Sequence, residues 1–231
     1  EIYVVDHSTT TEEAAGHTGG NQGKGGDIIY RWGNPQNYGR GTADDQILNA
    51  QHGVDWIPDG YPGEGNFLLY NNRHQTGPNR SAILEFECIA DENGYYHIDE
   101  NEPFGPSDLV WLYQADFFSN TQSGAYRLPN GNTIITVTNQ QHIFEVNYNG
   151  EVEWEYSQNV QCARALKYGY DYFNSTLIGD MNSDNQLNIL DVVIIVQMIL
   201  GNQEIDLIGD INEDGGLNIQ DIIILINIII S

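Results

Sequence analysis

The sequence has few basic residues, few cysteines and no long apolar run, and each shortage excludes a class of protein. Eight Lys and Arg stand against 33 Asp and Glu, which gives a formal charge of −25 over 231 residues. Phosphate backbones and anionic lipids are bound mainly through clustered basic side chains, so this balance argues against nucleic-acid and anionic-lipid partners. The densest apolar run, residues 222–230, is about half the ~20 residues that span a bilayer, and Asn227 interrupts it. The sequence therefore predicts no membrane span.

The cysteines and the first residue bear on the compartment. Cys88 and Cys162 are the only cysteines and have no C-x-x-C spacing, which disfavours zinc or thioredoxin chemistry. A bridge between them would close a loop of about 75 residues, worth roughly 4 kcal/mol in the chain-entropy model. Two free buried thiols are the alternative, and the sequence does not choose between them. The chain starts at Glu1 with no initiator Met, signal peptide or transit segment, so we expect a fragment or a mature chain cut from something longer.

Aromatic and turn-forming residues are abundant, and the charge pattern changes along the chain. The 14 Tyr and 4 Trp are too many for a disordered acidic tail, and 25 Gly indicate a turn-rich, mainly β body. All Lys and Arg occur at or before Lys167, and the following residues carry only acidic charge. Acidic clusters without counter-charges repel one another unless a cation joins them. We predict a first domain over residues 1–176 and a second over residues 177–231.

The second domain contains an internal repeat with the spacing of an EF-hand loop. Residues 177–184 return thirty positions later as residues 207–214, and residues 187–191 return as residues 217–221. In such a loop, oxygen ligands at positions one, three, five and twelve and a backbone carbonyl at position seven converge on one ion. Oxygen ligands without His or Cys select calcium, so we predict two Ca²⁺ ions. The predicted ligands are Asp180, Asn182, Asp184, Gln186 and Asp191 in the first loop, and Asp210, Asn212, Asp214, Gly216 and Asp221 in the second.

Each predicted loop is followed by an apolar stretch, residues 192–200 and 222–230, that we expect to form a helix. The two helices should pack on each other and leave apolar surface for a partner. Residues 168–176 and 202–206 are too short and turn-like for a helix before either loop. Two tandem loop-helix repeats ending on Asp resemble a type I dockerin over about residues 177–230, although apolar Ile189 and Leu190 stand at loop positions where that family usually has polar residues.

The dockerin resemblance implies docking on a cohesin-like protein. An intramolecular or cell-surface role for the tail, and acidic turns that bind nothing, are the alternatives.

The first domain also repeats. Residues 27–32, 107–111 and 150–154 each predict an alternating strand that ends on Trp. Residues 57–69 and 128–135 each predict a turn followed by a strand, and residues 81–87 and 142–147 predict a further strand in each copy. The spacing from Trp111 to Trp154 matches the period of a four-stranded propeller blade. We predict three to four blades of a six-bladed ring followed by a small α calcium-binding domain, with a β-sandwich as the alternative to blades.

Several segments of the first domain resemble the arylsulfotransferase family. They are residues 25–35, 51–58, 65–72, 123–132 and 151–156, within a resemblance that covers most of residues 1–160. The resemblance implies a six-bladed propeller that moves a sulfuryl group between aryl sulfates and phenols, with a histidine as transient carrier and no nucleotide cofactor. It also implies a secreted or cell-surface protein, which fits a calcium-rich exterior.

His52 is the predicted nucleophile, because it starts the strand that would line the central channel. Arg73 is the predicted clamp for the sulfate oxygens, and His74 beside it completes the candidate catalytic set. His7 and His17 are weaker candidates. Val54 stands where the family has Asn. The alternatives are a structural imidazole at position 52 and a non-catalytic scaffold, or a carbohydrate- or protein-binding propeller, anchored through the dockerin-like tail.

Overall fold

The computed structural model describes residues 1–74, 79–157, 159–169, 172 and 177–230. The chain divides into two compact units, Glu1–Lys167 and Tyr168–Ser231. The boundary predicted at residue 176 falls in residues 173–176, which lie outside the described residues. The strands are β1 Ile2–Val5, β2 Ile28–Trp32, β3 His52–Trp56, β4 Phe67–Asn71, β5 Ala82–Phe86, β6 Trp111–Tyr113, β7 Gly124–Arg127, β8 Thr133–Val137, β9 His142–Val146 and β10 Val152–Ser157. The helices are α1 Thr11–Ala14, α2 Ile189–Ile199 and α3 Ile219–Ile230.

The first unit consists of three antiparallel sheets, which confirms the mainly β prediction. Strands β1 and β2 form a two-stranded sheet, and two four-stranded sheets follow in the orders β3-β4-β5-β6 and β10-β9-β8-β7. Both four-stranded sheets are meanders, because consecutive strands pair. Trp111 and Trp154 lie on the last strand of their sheets, and each pairs with a Glu, Glu85 or Glu145, on the strand before it.

The middle sheet is covered on both faces. In β4, Leu68 and Tyr70 face a core that they share with residues of β7, β8 and β9, whereas Phe67 and Leu69 face a core that they share with β1 and β2. All five residues of β4 are therefore buried. This explains why β4 reads as a continuous apolar run and not as an alternating strand.

A buried carboxylate on the third strand of each four-stranded sheet receives a cation from further along the chain. Glu85 accepts a hydrogen bond from Asn66 at 2.8 Å and pairs with Arg127 of the next sheet. Glu145 accepts a bond from Asn132 at 2.7 Å and from Lys167 at 2.6 Å. The two arrangements are equivalent, so the sequence repeat is also a repeat of contacts.

Two of the repeated tryptophans tie each sheet to the next. The indole N–H of Trp32 donates to the backbone oxygen of Pro106, and that of Trp111 donates to the backbone oxygen of Tyr148, both at 2.9 Å. Trp154 has the equivalent place in the third sheet, but its side chain is 48% exposed against 8% for Trp111. No described hydrogen bond engages the Trp154 indole.

Strand β2 ends on Trp32 as predicted, but the other two strands predicted to end on Trp differ from the observed ones. Residues 107–110 precede β6, which begins at Trp111 and runs to Tyr113. The Val110 N–H donates to Glu85 O at 2.8 Å, so pairing with β5 starts only there. Strand β10 likewise continues past Trp154 to Ser157, because β9 offers partners as far as His142. Trp111 and Trp154 therefore lie within their strands and not at the C-terminal ends of them.

The two cysteines are not bonded to each other. Both thiols are free and partly buried. The Cys88 sulfur lies 3.5 Å from the Tyr96 hydroxyl, and the Cys162 thiol donates to Arg164 O at 3.0 Å. Of the two alternatives, the structure has the free thiols and not the bridge.

In the second unit, α2 and α3 pack on each other as predicted, around Val192, Ile195, Ile222 and Leu225. Both helices begin three residues before the predicted start, because a capping box extends them. For α2, the Asn188 side chain accepts the Leu190 N–H, and the Asp191 side chain accepts the Asn188 N–H.

A short segment precedes each of the two acidic loops. Residues 202–206 form no helix, as predicted, and a short 3-10 turn over Leu207–Gly209 follows them. Most of the segment 168–176 lies outside the described residues. Within the described ranges, no helix is both long and apolar enough to cross a bilayer.

Candidate functional site

The first acidic loop of the second unit is closed by hydrogen bonds from its own backbone to two buried carboxylates. Asp180 accepts the Asp184 N–H at 3.2 Å and the Asn185 N–H at 2.7 Å. Asp191, at loop position twelve, accepts the Met181 N–H and the Asn188 N–H, both at 2.9 Å. The first and last predicted ligands therefore hold the two ends of the loop together.

The second loop repeats this pattern position by position. Asp210 accepts the Asp214 N–H at 3.2 Å and the Gly215 N–H at 2.8 Å. Asp221 accepts the Ile211 N–H at 3.0 Å and the Asn218 N–H at 2.8 Å. The thirty-residue repeat therefore encodes one local structure twice.

Each loop turns through left-handed residues at its tip. Asn185 has φ of 61° and Gly215 has φ of 86°, at the sixth loop position where a sharp turn is required. Ser183 and Glu213 also have positive φ, 59° and 56°. Neither Ser nor Glu strongly favours the left-handed region of backbone conformation, so the hydrogen bonds within each loop hold these residues there.

The donor set of both loops is hard oxygen, which fits calcium in kind. The buried carboxylates have no basic residue in their unit, because no Lys or Arg follows Lys167. As the loops stand, Asn182 donates to Asp184 at 2.9 Å and Asn212 donates to Asp214 at 3.1 Å, so these side chains bond to each other. Among the described residues, no three His, Cys, Asp or Glu side chains converge as a metal-binding group.

In the first unit, His52 lies at the start of β3 with one ring nitrogen held by the protein. Its Nδ1 is 2.8 Å from Asn72 Oδ1 and 3.0 Å from Ala50 O. Asn72 follows β4, is fully buried, and donates from Nδ2 to Ser119 O and Gln122 O, each at 3.0 Å. In the described part of the chain, no hydrogen bond engages His52 Nε2.

The other two predicted catalytic residues are placed differently. The Arg73 backbone N–H donates to Asn49 O at 3.0 Å, and its side chain is exposed. His74 Nδ1 lies 3.4 Å from Asn71 Nδ2, and partial burial lowers the pKa of His74. Within the described ranges, no hydrogen bond or ion pair joins Arg73 or His74 to His52. Residues 75–78, which follow this pair, lie outside the described residues.

Two polar residues, Asn72 after β4 and Thr138 after β8, lie beside the starts of β3 and β7, because they bond to His52 and Ser123. We call Asn72 and Thr138 the inner belt. Thr138, which follows β8, lies 3.2 Å from the Ser123 hydroxyl and donates to Cys162 O at 2.9 Å. It thus contacts its own sheet and the next segment, as Asn72 contacts His52 and Gln122 O. The signal for this belt is a repeated Gln at positions 51, 122 and 161, each directly before His52, Ser123 or Cys162. Asn72 is not among the site residues predicted from the sequence.

The backbone around these strand heads is strained. Ala50, Gln122 and Ser123 have φ of 54°, 48° and 78°, although none is glycine. Left-handed residues of these types cost of order 1–3 kcal/mol each and persist where surrounding structure imposes them, often at functional sites. Gly53 has φ of 61°, and a side chain there would come within 3.1 Å of Gly124 Cα. The sheet therefore approaches its neighbour closely beside His52.

The chain offers two chemically distinct sites, a pair of oxygen-rich loops in the second unit and a held imidazole in the first. The loops offer oxygen atoms of the kind that a hard cation takes, and the imidazole offers a nitrogen of the kind that attacks an electrophile. Comparisons of the chain with known protein families, with curated proteins and with solved structures found no match.

Proposed function

We propose that residues 177–230 form a calcium-dependent docking module of the dockerin type. The observation that carries this proposal is the duplicated loop, in which buried Asp180 and Asp191, and again Asp210 and Asp221, accumulate negative charge in a unit without basic residues. Calcium would supply the missing positive charge. The residues that would hold it are Asp180, Asn182, Asp184, Gln186 and Asp191, and Asp210, Asn212, Asp214, Gly216 and Asp221.

The helices support a role in docking because both keep apolar residues exposed at helical spacing. On α2 and at its C-cap these are Ile189, Val193, Val196 and Leu200, and on α3 they are Ile219, Ile223, Ile226 and Ile230. Clustered exposed apolar residues of this kind mark protein interaction surfaces. The proposed partner is a cohesin-like or other cell-surface docking protein with a complementary apolar face, which places the protein outside the cell.

Calcium titration of the chelator-treated full chain tests this proposal by calorimetry. We expect two ions per chain, and Asp180→Ala or Asp210→Ala should each remove one of them. Glu204→Gln is the matched control, because it removes one exposed negative charge outside the loops and should keep both ions. An absence of heat with the wild-type chain, or a stoichiometry that neither loop variant changes, would refute the proposal.

For residues 1–167, we propose consecutive blades of an arylsulfotransferase-like propeller. Support comes from the two four-stranded meanders, whose packing brings β7 against β3 and β4. The inner belt and the repeated Glu and Trp contacts further support a blade-like repeat, because each joins one sheet to the next. The alternative is a non-catalytic scaffold or a carbohydrate- or protein-binding propeller anchored through the tail.

A second candidate function is sulfuryl transfer from an aryl sulfate to a phenol through His52. The specific observation that favours it is an imidazole held at Nδ1 beside strained backbone, with Nε2 free of described contacts. Release of a coloured phenol from an aryl sulfate, with a phenol acceptor present, tests it. His52→Ala should abolish release, and His97→Ala should not, since His97 is an exposed residue paired with Asp91. No release by the wild-type chain would leave the scaffold alternative.

A further inference from the structure

We propose that Asn72 is a positioning residue that keeps the proton of neutral His52 on Nδ1 and the lone pair on Nε2. The catalytic meaning of this assignment rests on the proposed sulfuryl transfer, whereas the assignment itself rests only on donor and acceptor geometry.

The orientation of the Asn72 amide is fixed by its two donor bonds. Nδ2 faces the carbonyl oxygens of Ser119 and Gln122, each at 3.0 Å, and carbonyl oxygens only accept. A flipped amide would set Oδ1 against both carbonyls at a fully buried position, where an unpaired polar group is strongly disfavoured. Oδ1 is therefore the atom that faces His52.

The surroundings of Asn72 hold it in this place. The buried Ser81 hydroxyl donates to Asn72 O at 2.8 Å and accepts the Ser119 N–H at 3.1 Å. The backbone of Asn72 and one of its side-chain acceptors are thus joined through one serine. A positioning residue requires this kind of support, because its own side chain must not move.

His52 Nδ1 then faces two acceptors, Asn72 Oδ1 at 2.8 Å and Ala50 O at 3.0 Å. A lone pair on Nδ1 would be repelled by both oxygens, so Nδ1 carries the hydrogen. A neutral imidazole has one N–H, and Nε2 is consequently the nitrogen with the lone pair. Among His52, Ser123 and Cys162, each of which directly follows a Gln, only His52 offers a nitrogen of this kind.

This tautomer suits nucleophilic attack on a sulfate ester. Attack by Nε2 forms an N–S bond and breaks the S–O bond to the phenol, whose oxygen leaves with the electron pair. The imidazole becomes cationic while its hydrogen stays on Nδ1, where two oxygens already accept it. Hydrogen bonds from a charged donor are stronger than neutral ones, so both oxygens favour the sulfated ring. An acceptor phenol completes the cycle when its oxygen forms a new S–O bond and the N–S bond breaks, with the electron pair returning to Nε2. The proton of the acceptor phenol passes, directly or through water, to the phenolate released in the first step.

Long-range ¹H–¹⁵N NMR of the histidine rings measures the tautomer directly, with His52→Gln to assign the resonances. The spectrum is recorded about two pH units above the ordinary histidine pKa of about 6.5, where neutral rings dominate. We expect the Nδ1–H form for His52 in the wild-type chain and a mixture in Asn72→Leu.

Asn71→Leu is the matched control, because Asn71 is also fully buried and bonds to backbone groups of Asn49 and Ile47, yet does not contact His52. It should leave the tautomer unchanged. The inference is overturned if His52 of the wild-type chain has the Nε2–H form. This measurement does not require any variant to fold. An unchanged tautomer in folded Asn72→Leu also overturns it. If the tautomer is as expected but no phenol is released, the sulfuryl-transfer proposal fails and the positioning role of Asn72 stands.

Discussion

Glu145 shows how a carboxylate can remain charged inside a β-sheet protein. Burial opposes its ionisation, but hydrogen bonds from Lys167, Asn132 and Asn130 outweigh burial and lower the pKa of Glu145 below its ordinary value of 4.5. The side chain of Glu145 is 4% exposed and that of Lys167 is 55% exposed. The ion pair therefore joins a buried carboxylate to an exposed ammonium group. Its contribution to the stability of the fold depends on whether Glu145 is protonated.

The lowered pKa gives the stability of the first unit a defined acid dependence. A carboxylate whose pKa is lower in the folded chain stabilises the fold above its unfolded value and loses that contribution as pH falls through the folded value. We expect the free energy of unfolding, from urea titrations between about pH 6 and pH 3, to fall less steeply in Glu145→Gln than in the wild-type chain. Exposed Glu92→Gln should keep the wild-type slope. Equal slopes in all three chains would show that the pair has no linked proton.

At the residue scale, the sequence predicts which carboxylates organise the acidic loops better than it predicts the residues around His52. Acidic residues recur at fixed offsets within one short segment, so spacing alone identifies Asp180 and Asp191, which accept the backbone N–H groups of their loop. Asn72 is twenty residues from His52 and contacts it only because β3 pairs with β4. Arg73 is the predicted clamp because it follows the strand after that of His52, but its side chain is exposed. The side-chain amide of the preceding residue, Asn72, contacts the imidazole instead.

Among the elements, the last strands of the four-stranded sheets differ most in their environment. Trp111 on β6 stacks on Tyr148 with ring centroids 6.0 Å apart and donates to its backbone oxygen. Trp154 on β10 has the equivalent register but is half exposed, and it borders a cavity of about 640 Å³ with Leu166 and Lys167. The same residue type therefore occupies a packed and an open version of one site.

This pair permits a matched substitution. Trp111→Phe removes a hydrogen bond in a packed interface and leaves the Tyr148 oxygen without its donor, so we expect a loss of about 1–3 kcal/mol in the free energy of unfolding. Trp154→Phe should cost about 0.5 kcal/mol or less, as for most exposed positions. Urea unfolding of both variants measures the difference. Equal losses would mean that the indole bond of Trp111 does not stabilise the sheets.

The elements themselves could largely be predicted, and the errors have local causes. Turn residues and apolar runs predict β4, β5, β8 and β9 to within two residues, because hairpin turns fix where strands start. The starts of α2 and α3 were predicted too late, because capping asparagines such as Asn188 extend each helix back into its loop. A hydrophobic pattern registers burial and not capping, so it misses the first turn.

For the whole molecule, sequence reasoning separates two units but does not show how the sheets of the first one associate. The chain divides into its compact units between Lys167 and Tyr168, where the basic residues stop, nine residues before the predicted boundary at residue 176. Stacking of the sheets depends on contacts between residues far apart, such as Glu85 with Arg127 and Trp32 with Pro106. No local pattern records such pairs, although the repeated Trp and Glu positions mark where they form.

The direction of these contacts has a consequence for biosynthesis. The Glu85 carboxylate is neutralised by Arg127, which is 42 residues later in the chain, and the Asn72 amide likewise bonds to a later carbonyl. At a synthesis rate of about 5–20 residues per second, a ribosome needs roughly two to eight seconds to deliver Arg127 after Glu85. During that interval the nascent β3–β6 sheet carries a carboxylate that has no counter-ion, so it should remain unfinished until its successor emerges. We therefore expect the β3–β6 sheet to complete its folding only after Arg127, at the end of β7 in the next sheet, has been synthesised.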